Sequence, residues 1–212
     1  MKKRFLGLMV SLFFIMNTAN AQMSVGVKGA VTMFNMSLKN NNDNKISTQM
    51  IPNFNLGLYA DFPLAPEFAI RPEVLFATKG YKSEDLADAK TRLSYIEIPV
   101  TLLYKGALYG GNVLVGFGPY AAFGIGGKMT NGETVKVKFK NDISLQEATA
   151  SPYFKPFDFG GKFYAGYELA NGLIFILETS LGLVNIAPKI EGQENGNAKN
   201  VGFGISVGYK LK

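Results

Sequence analysis

Charged side chains recur on one face of several strand-like segments, and they are the groups with which this chain could do chemistry. They are Lys28, Arg71, Glu73, Glu97, Lys162 and Glu178. Two carboxylates that the fold brings together, such as Glu97 and Glu178, could act as a general acid and a general base. A row of alternating charges can instead relay protons or ions, or pair and fill space, since an isolated buried ion is very costly. Three cations against three carboxylates favour the paired, structural network, with the relay and the acid–base pair as alternatives.

Composition and local motifs exclude most other kinds of site. The 212 residues include no His and no Cys, and His is the commonest general base and metal ligand near neutral pH. The run of Asn and Asp at 40–44 lacks the spaced acidic ligands of a calcium loop, which indicates a solvated loop. The Gly-rich run 116–127 has no lysine placed to hold a phosphate. We therefore expect a non-enzymatic protein with no cofactor and no metal site.

The N-terminus reads as an export signal. Three basic residues, an apolar run and the small residues Ala19 and Ala21 precede Gln22, as in a cleaved signal peptide. We predict a signal peptide at 1–21 and a single domain at 22–212. Cleavage leaves 19 basic residues against 16 acidic ones, a formal charge of +3, which argues against nucleic acid as a partner.

Eight segments that alternate apolar and polar residues must position the charges. They are 25–33, 54–62, 68–80, 93–105, 113–125, 157–169, 173–185 and 201–211. Tilted strands of about 9–11 residues cross a bilayer, and a closed barrel satisfies every backbone group in lipid.

The connections between these segments alternate between long and short. They are 35–52, 63–66, 81–92, 106–111, 126–156, 170–172 and 187–199. Transmembrane barrels have short periplasmic turns and longer outer loops. The sequence therefore predicts an all-β protein, an eight-stranded antiparallel up-and-down transmembrane barrel in the cell outer membrane.

The two faces of the strands differ in kind. One is apolar and nearly free of charge, whereas the other carries Gly, Ser, Tyr and the charged residues. Small residues suit a crowded interior, so we expect the apolar face to meet lipid and the charges to fill the lumen. A soluble, lipocalin-type barrel with the faces reversed is the alternative. We also expect six tyrosines at the membrane interfaces: Tyr59, Tyr95, Tyr104, Tyr109, Tyr167 and Tyr209.

The longest outer connection, 126–156, contains the alternating stretch VKVKFK at 135–140. This pattern predicts a hairpin that extends above the membrane. The alternative is an interaction surface for adhesion, for anionic polysaccharide, or for an envelope or secretion protein.

Several motifs resemble the PorT-like outer-membrane barrel family of the Bacteroidota. They are EFAIRPEVLFATKGYK (67–82), YIEIPVTLLYK (95–105), GPYAAFGIGGK (118–128), FDFGGKFYAGYEL (157–169), TSLGLVNI (179–186) and GFGISVGYKLK (202–212). The resemblance implies an eight-stranded outer-membrane barrel, and the founding member of the family is a component of type IX secretion. We therefore expect a scaffold or accessory of a secretion or envelope machine. A small-solute pore and a soluble ligand-binding barrel are the alternatives.

Overall fold

The computed structural model describes residues 23–39, 44–84, 89–193 and 196–211. The predicted signal peptide lies outside these ranges, as does most of the Asn-rich run 40–44. Eight long strands dominate the described chain: β1 Ser24–Lys39, β2 Thr48–Ala65, β3 Phe68–Ser83, β4 Lys90–Leu108, β5 Gly111–Asn131, β6 Phe157–Glu168, β7 Leu173–Gly182 and β8 Asn197–Lys210. Among the described residues, no helix has the length and apolar character needed to cross a bilayer.

Shorter elements occupy the connections at one end of these strands. The short strands are Lys45–Ile46, Glu133–Lys136, Lys138–Phe139, Asp142–Ile143, Tyr153–Phe154 and Lys189–Ile190, and the helix α1 is Leu145–Ala150.

The eight long strands close into a barrel. Each strand pairs antiparallel with its neighbours in the chain, and β8 returns to pair with β1, with Tyr209 opposite Val27. Closure leaves no free edge among the eight strands. The predicted eight-stranded antiparallel up-and-down barrel is therefore confirmed.

Short turns and both ends of the described chain, near Val25 and Leu211, lie at one end of the barrel. Residues 109–110 form a two-residue turn in which Tyr109 and Gly110 both have positive φ, 43° and 77°, as a type I′ hairpin turn requires. At the same end, the first residue of β1, Ser24, lies opposite Asp61. The long connections lie at the opposite end, which in transmembrane barrels faces outward.

The strands run further toward the long loops than the sequence predicts. Strand β1 ends at Lys39 rather than at residue 33, β5 ends at Asn131 rather than at 125, and β8 begins at Asn197 rather than at 201. These extensions leave the apolar alternation because they stand above the lipid-facing band. The wall of the barrel therefore continues beyond the membrane on the loop side.

Burial confirms that the apolar faces point outward. Val31, Leu56 and Leu177 have exposed fractions of 68%, 62% and 64%, whereas the inward-facing Lys28 has 3%. A lipocalin-type barrel, with its apolar side chains inside, is contradicted by this arrangement.

For two of the six tyrosines, the predicted position at a membrane interface is wrong. Tyr59 and Tyr95 are buried in the lumen because they share the inward-facing period of their strands. Tyr104 does lie on the outer face, where its ring packs against Phe68 with 5.4 Å between the ring centroids.

Candidate functional site

The inward positions of five strands bring seven charged side chains into one continuous chain of ion pairs, which we call the lumen charge chain. In spatial order its members are Asp158, Lys79, Glu97, Lys162, Glu178, Lys28 and Glu73. All seven are nearly inaccessible to solvent. Buried charges of this kind must be paired and hydrogen-bonded.

Lys79 anchors the end of the chain that lies nearer the long loops. Its Nζ atom lies 2.7 Å from Oε2 of Glu97 and 3.0 Å from Oδ2 of Asp158. The same Asp158 oxygen accepts hydrogen bonds from the hydroxyl of Tyr120 at 3.2 Å and from Nδ2 of Asn200 at 2.9 Å. Three donors from three other strands therefore converge on one carboxylate oxygen.

Lys162 and Lys28 continue the chain toward the turn end. Nζ of Lys162 lies 3.1 Å from Oε1 of Glu97 and 4.0 Å from Oε2 of Glu178. Nζ of Lys28 lies 2.6 Å from that Glu178 oxygen and 3.1 Å from Oε2 of Glu73. Cations and carboxylates thus alternate without interruption.

Arg71, the sixth predicted residue, lies outside this chain. Its guanidinium donates two hydrogen bonds to Asp61, from Nε to Oδ1 at 2.6 Å and from Nη2 to Oδ2 at 2.9 Å. The ring of Tyr59 lies 4.3 Å from the guanidinium carbon. A bidentate, stacked guanidinium is held in a fixed orientation, so Arg71 forms a second, rigid unit beside the chain.

Sequence reasoning missed three buried members of these two groups, namely Asp61, Lys79 and Asp158. It also missed Lys105, whose Nζ lies 2.6 Å from Oε1 of Glu168. The alternation did contain the signal, because Asp61, Lys79 and Asp158 share the inward period with Tyr59, Arg71 and Lys162. The alternation does not show at which height along the barrel axis each residue of a tilted strand lies.

The two carboxylates considered as an acid–base pair do not face open space. Glu97 lies between Lys79 and Lys162, and Glu178 lies between Lys162 and Lys28. The void beside Glu178 has no room for a water-sized sphere. Within the described residues, no group of three or more Asp, Glu, His or Cys side chains is arranged to hold a metal ion.

Two apolar layers enclose the charges. The layer at the turn end comprises Tyr59, Ala69, Leu103, Leu114, Tyr164, Ile174 and Ile176. The layer at the loop end comprises Met36, Tyr81, Leu93, Tyr95, Tyr120, Ala122, Val137, Phe154, Ile186 and Ala198. Val137, Phe154 and Ile186 come from the long connections and are buried in the barrel mouth.

The connection 126–156 forms a folded cap rather than a simple hairpin. Glu133–Lys136 extends a hairpin from β5, and the pairing continues to Val137, whose backbone N–H donates to the carbonyl of Gly127 and whose side chain is buried. Tyr153–Phe154 then pairs parallel with Lys138–Phe139, and Asp142–Ile143 pairs parallel with Lys189–Ile190. The cap therefore joins two of the outer connections across the mouth.

Helix α1 begins in this cap with a capping box. The N-cap Ser144 and Glu147 exchange hydrogen bonds, and Glu147 also accepts a hydrogen bond from Lys140 at 2.8 Å. This hydrogen bond lowers the pKa of Glu147 and raises the pKa of Lys140. These side chains, with Asp142 and Lys189, line an open cleft of about 460 Å³.

Comparison with known proteins identifies the family to which this barrel belongs. Residues 17–187 match the family described as outer membrane protein beta-barrel domain. No curated protein gave a significant match.

Solved outer-membrane proteins are similar in structure, at low sequence identity. They include OprG of Pseudomonas aeruginosa (14% identity, TM-score 0.49, 90% of this chain and 96% of that one) and Neisserial surface protein A (11%, 0.47, 91% and 100%). The attachment invasion locus protein Ail of Yersinia pestis is another (11%, 0.40, 91% and 100%). The family match covers most of the chain, and the apolar side chains point out of a closed barrel. This protein is therefore an integral outer-membrane β-barrel protein and a member of the outer membrane protein beta-barrel domain family.

Proposed function

We propose that this protein is a non-enzymatic scaffold or accessory of a secretion or envelope machine, of the PorT-like kind. In this proposal the barrel holds the protein in the membrane and the cap binds a partner protein. The observation that carries the proposal is the lumen charge chain, which fills the barrel between two apolar layers.

The packed lumen argues against transport. An eight-stranded barrel has an interior just wide enough for side chains to fill, and here Lys79 and Lys162 occupy it together with four carboxylates. Val137 and Phe154 close the mouth above them. Because side chains fill the described lumen, the proposal assigns the functional surface to the parts of the chain outside the membrane.

The cap offers such a surface. It is held together by two short parallel strand pairs and by the capping box of α1. Leu145 and Val135 are exposed on it, with exposed fractions of 53% and 43%. Exposed apolar residues rimmed by charged ones are typical of protein-binding surfaces.

The closed lumen is tested by conductance in planar bilayers. We expect the purified protein to give no stable channels, and the double variant Lys79→Ala/Tyr120→Ala, which empties the centre, to give measurable ones. Stable channels in the unchanged protein would contradict the scaffold proposal and support a small-solute pore.

The partner is tested by pull-down of the tagged full chain from outer membranes. We expect a specific partner that is lost with Leu145→Asp in the cap and kept with Leu108→Asp, which changes an exposed leucine at the opposite end. Deletion of the gene, followed by measurement of secreted cargo, then separates secretion from other envelope roles. Unchanged cargo together with no specific partner would overturn the proposal.

A further inference from the structure

Three cations stand side by side on the outer face of the barrel wall, just above the lipid-facing band. Arg92 on β4 lies opposite Lys128 on β5, and Lys128 lies opposite Lys136 in the outer hairpin. We call these three residues the basic row. Like charges directly opposite each other on one face of a sheet are destabilising, so the row calls for an explanation.

The side chains of the row point away from the lumen. Arg92 shares the period of Ile96 and Ile98, which face outward, and its neighbour Leu93 is buried in the loop-end layer. A Cβ added to Gly127 would contact Leu93 and Val137, so Gly127 faces inward and Lys128 faces outward. Lys128 and Lys136 are exposed.

The height of the row corresponds to the headgroups of the outer leaflet. On β4, Ile96 is the last outward apolar residue before Ser94 and Arg92. Four residues along a strand tilted by about 40° place Arg92 roughly 10 Å above Ile96. Long Lys and Arg side chains can reach several ångströms toward the interface.

The described carboxylates leave the row without a protein counter-ion. No described carboxylate forms an ion pair with Arg92, Lys128 or Lys136. The nearest acidic residue in the hairpin, Glu133, lies opposite Asn131, on the other face from the Lys128–Lys136 pair. Arg92 donates from Nη2 to the carbonyl of Pro52 at 3.1 Å, but its buried Nε has no partner.

We propose that the basic row binds the phosphate groups of a phosphorylated glycolipid in the outer leaflet. Phosphate offers several strong acceptors, and Arg with Lys is the usual protein arrangement for it. A lipid phosphate at this height would separate the three cations and accept hydrogen bonds from the exposed ammonium groups of Lys128 and Lys136. This inference requires only the outer-membrane location and not the proposed scaffold role.

The test compares lipid binding to the full chain, folded in detergent, by native mass spectrometry. The probes are a bis-phosphorylated lipid A and its dephosphorylated form. The variant is Arg92→Gln/Lys128→Gln/Lys136→Gln, and the matched control is Lys138→Gln/Lys155→Gln/Lys189→Gln, which removes the same charge from the cap and its surroundings. Heat-dependent gel mobility verifies that each variant is folded.

We expect the unchanged protein to prefer the phosphorylated lipid, and the row variant to bind it about tenfold more weakly or worse, since each cation near a charged surface contributes about 1 kcal/mol. The control should change by less than about twofold, because its three lysines lie on separate segments and do not form a row of paired cations. Equal binding of the dephosphorylated lipid, or an equal loss in the control, would overturn the proposal.

Two further measurements distinguish a lipid phosphate from a free anion and keep the test valid if the triple variant does not fold. Inorganic phosphate and a soluble sulfated polysaccharide are titrated as competitors of the lipid. If the basic row binds the polysaccharide but not the lipid, its ligand is a free polymer and the proposal is overturned. If the triple variant does not fold, Lys128→Gln alone should still weaken lipid binding, and the unchanged protein should lose the lipid as salt is raised. Salt-independent binding would contradict the role of the row.

Discussion

The Nζ atom of Lys79 lies 3.0 Å from Oδ2 of Asp158, although Lys79 stands on β3 and Asp158 on β6. Two strands separate these residues one way around the barrel and four strands the other way. A single ion pair therefore bridges the lumen between distant parts of the wall. Such a contact is available only in a barrel as narrow as eight strands allow.

Replacement of Lys79 by Met tests how much this ion pair contributes to the free energy of unfolding. The variant leaves the buried Asp158 without a lysine partner and the buried Glu97 with Lys162 alone. Removal of one partner from a buried pair costs about 3–5 kcal/mol, so we expect the free energy of unfolding in lipid vesicles to fall by that amount. The chain has no Trp, so urea unfolding is followed by tyrosine fluorescence and gel mobility.

The control for Lys79 is Lys136→Met, which removes an exposed charge from the outer hairpin. Exposed charges contribute little to stability, so its unfolding curve should overlay that of the unchanged protein. Equal stability of the two variants would mean that the buried ion pair contributes nothing net.

Glycines on the lumen side make room for large rings. A Cβ added to Gly116 would lie 2.1 Å from the ring of Tyr164, whereas one added to Gly161 on the outer face would meet nothing within 4 Å. We expect Gly116→Ala to destabilise the barrel by about 1–3 kcal/mol through overpacking. Gly161→Ala is the matched control and should be neutral or slightly stabilising, as measured by the same urea unfolding. Equal effects would show that the ring can move aside.

The barrel itself could be predicted from the sequence because alternation fixes which face of each strand a residue occupies. Alternation predicts that Lys28, Glu97 and Glu178 face inward, and all three are buried. Alternation does not fix height, because the strands of a barrel are tilted and staggered. The partners of Lys79 and the separation of Arg71 from the charge chain depend on that stagger.

The cap could not be predicted for a different reason. The stretch 135–140 alternates as a surface hairpin would, but the inward side of this hairpin packs into the barrel mouth, where Val137 is buried. The parallel pairing of Asp142–Ile143 with Lys189–Ile190 joins segments separated by most of two strands and a turn. Local periodicity carries no signal for such a contact.

The direction of the strand faces gives a third prediction. Leu177 lies near the middle of β7 on the lipid side, with an exposed fraction of 64%. Arginine at the bilayer midplane of a barrel costs about 2–4 kcal/mol, so Leu177→Arg should lower the stability in vesicles by about that much. Val135→Arg, in the hairpin above the membrane, is the control and should have little effect. A harmless Leu177→Arg would place that face in water.

The last prediction concerns the pH dependence of the cap. The hydrogen bond from Lys140, together with that from the backbone of Ser144, lowers the pKa of Glu147 below its usual value of 4.5. Since the folded pKa is the lower one, the stabilisation of α1 is complete above the unfolded value and is lost as the pH falls through the folded value. An NMR titration of the Glu147 carboxyl should therefore show a midpoint below 4.5, and Lys140→Met should raise it. A midpoint that Lys140→Met leaves unchanged would mean that this hydrogen bond does not form in solution.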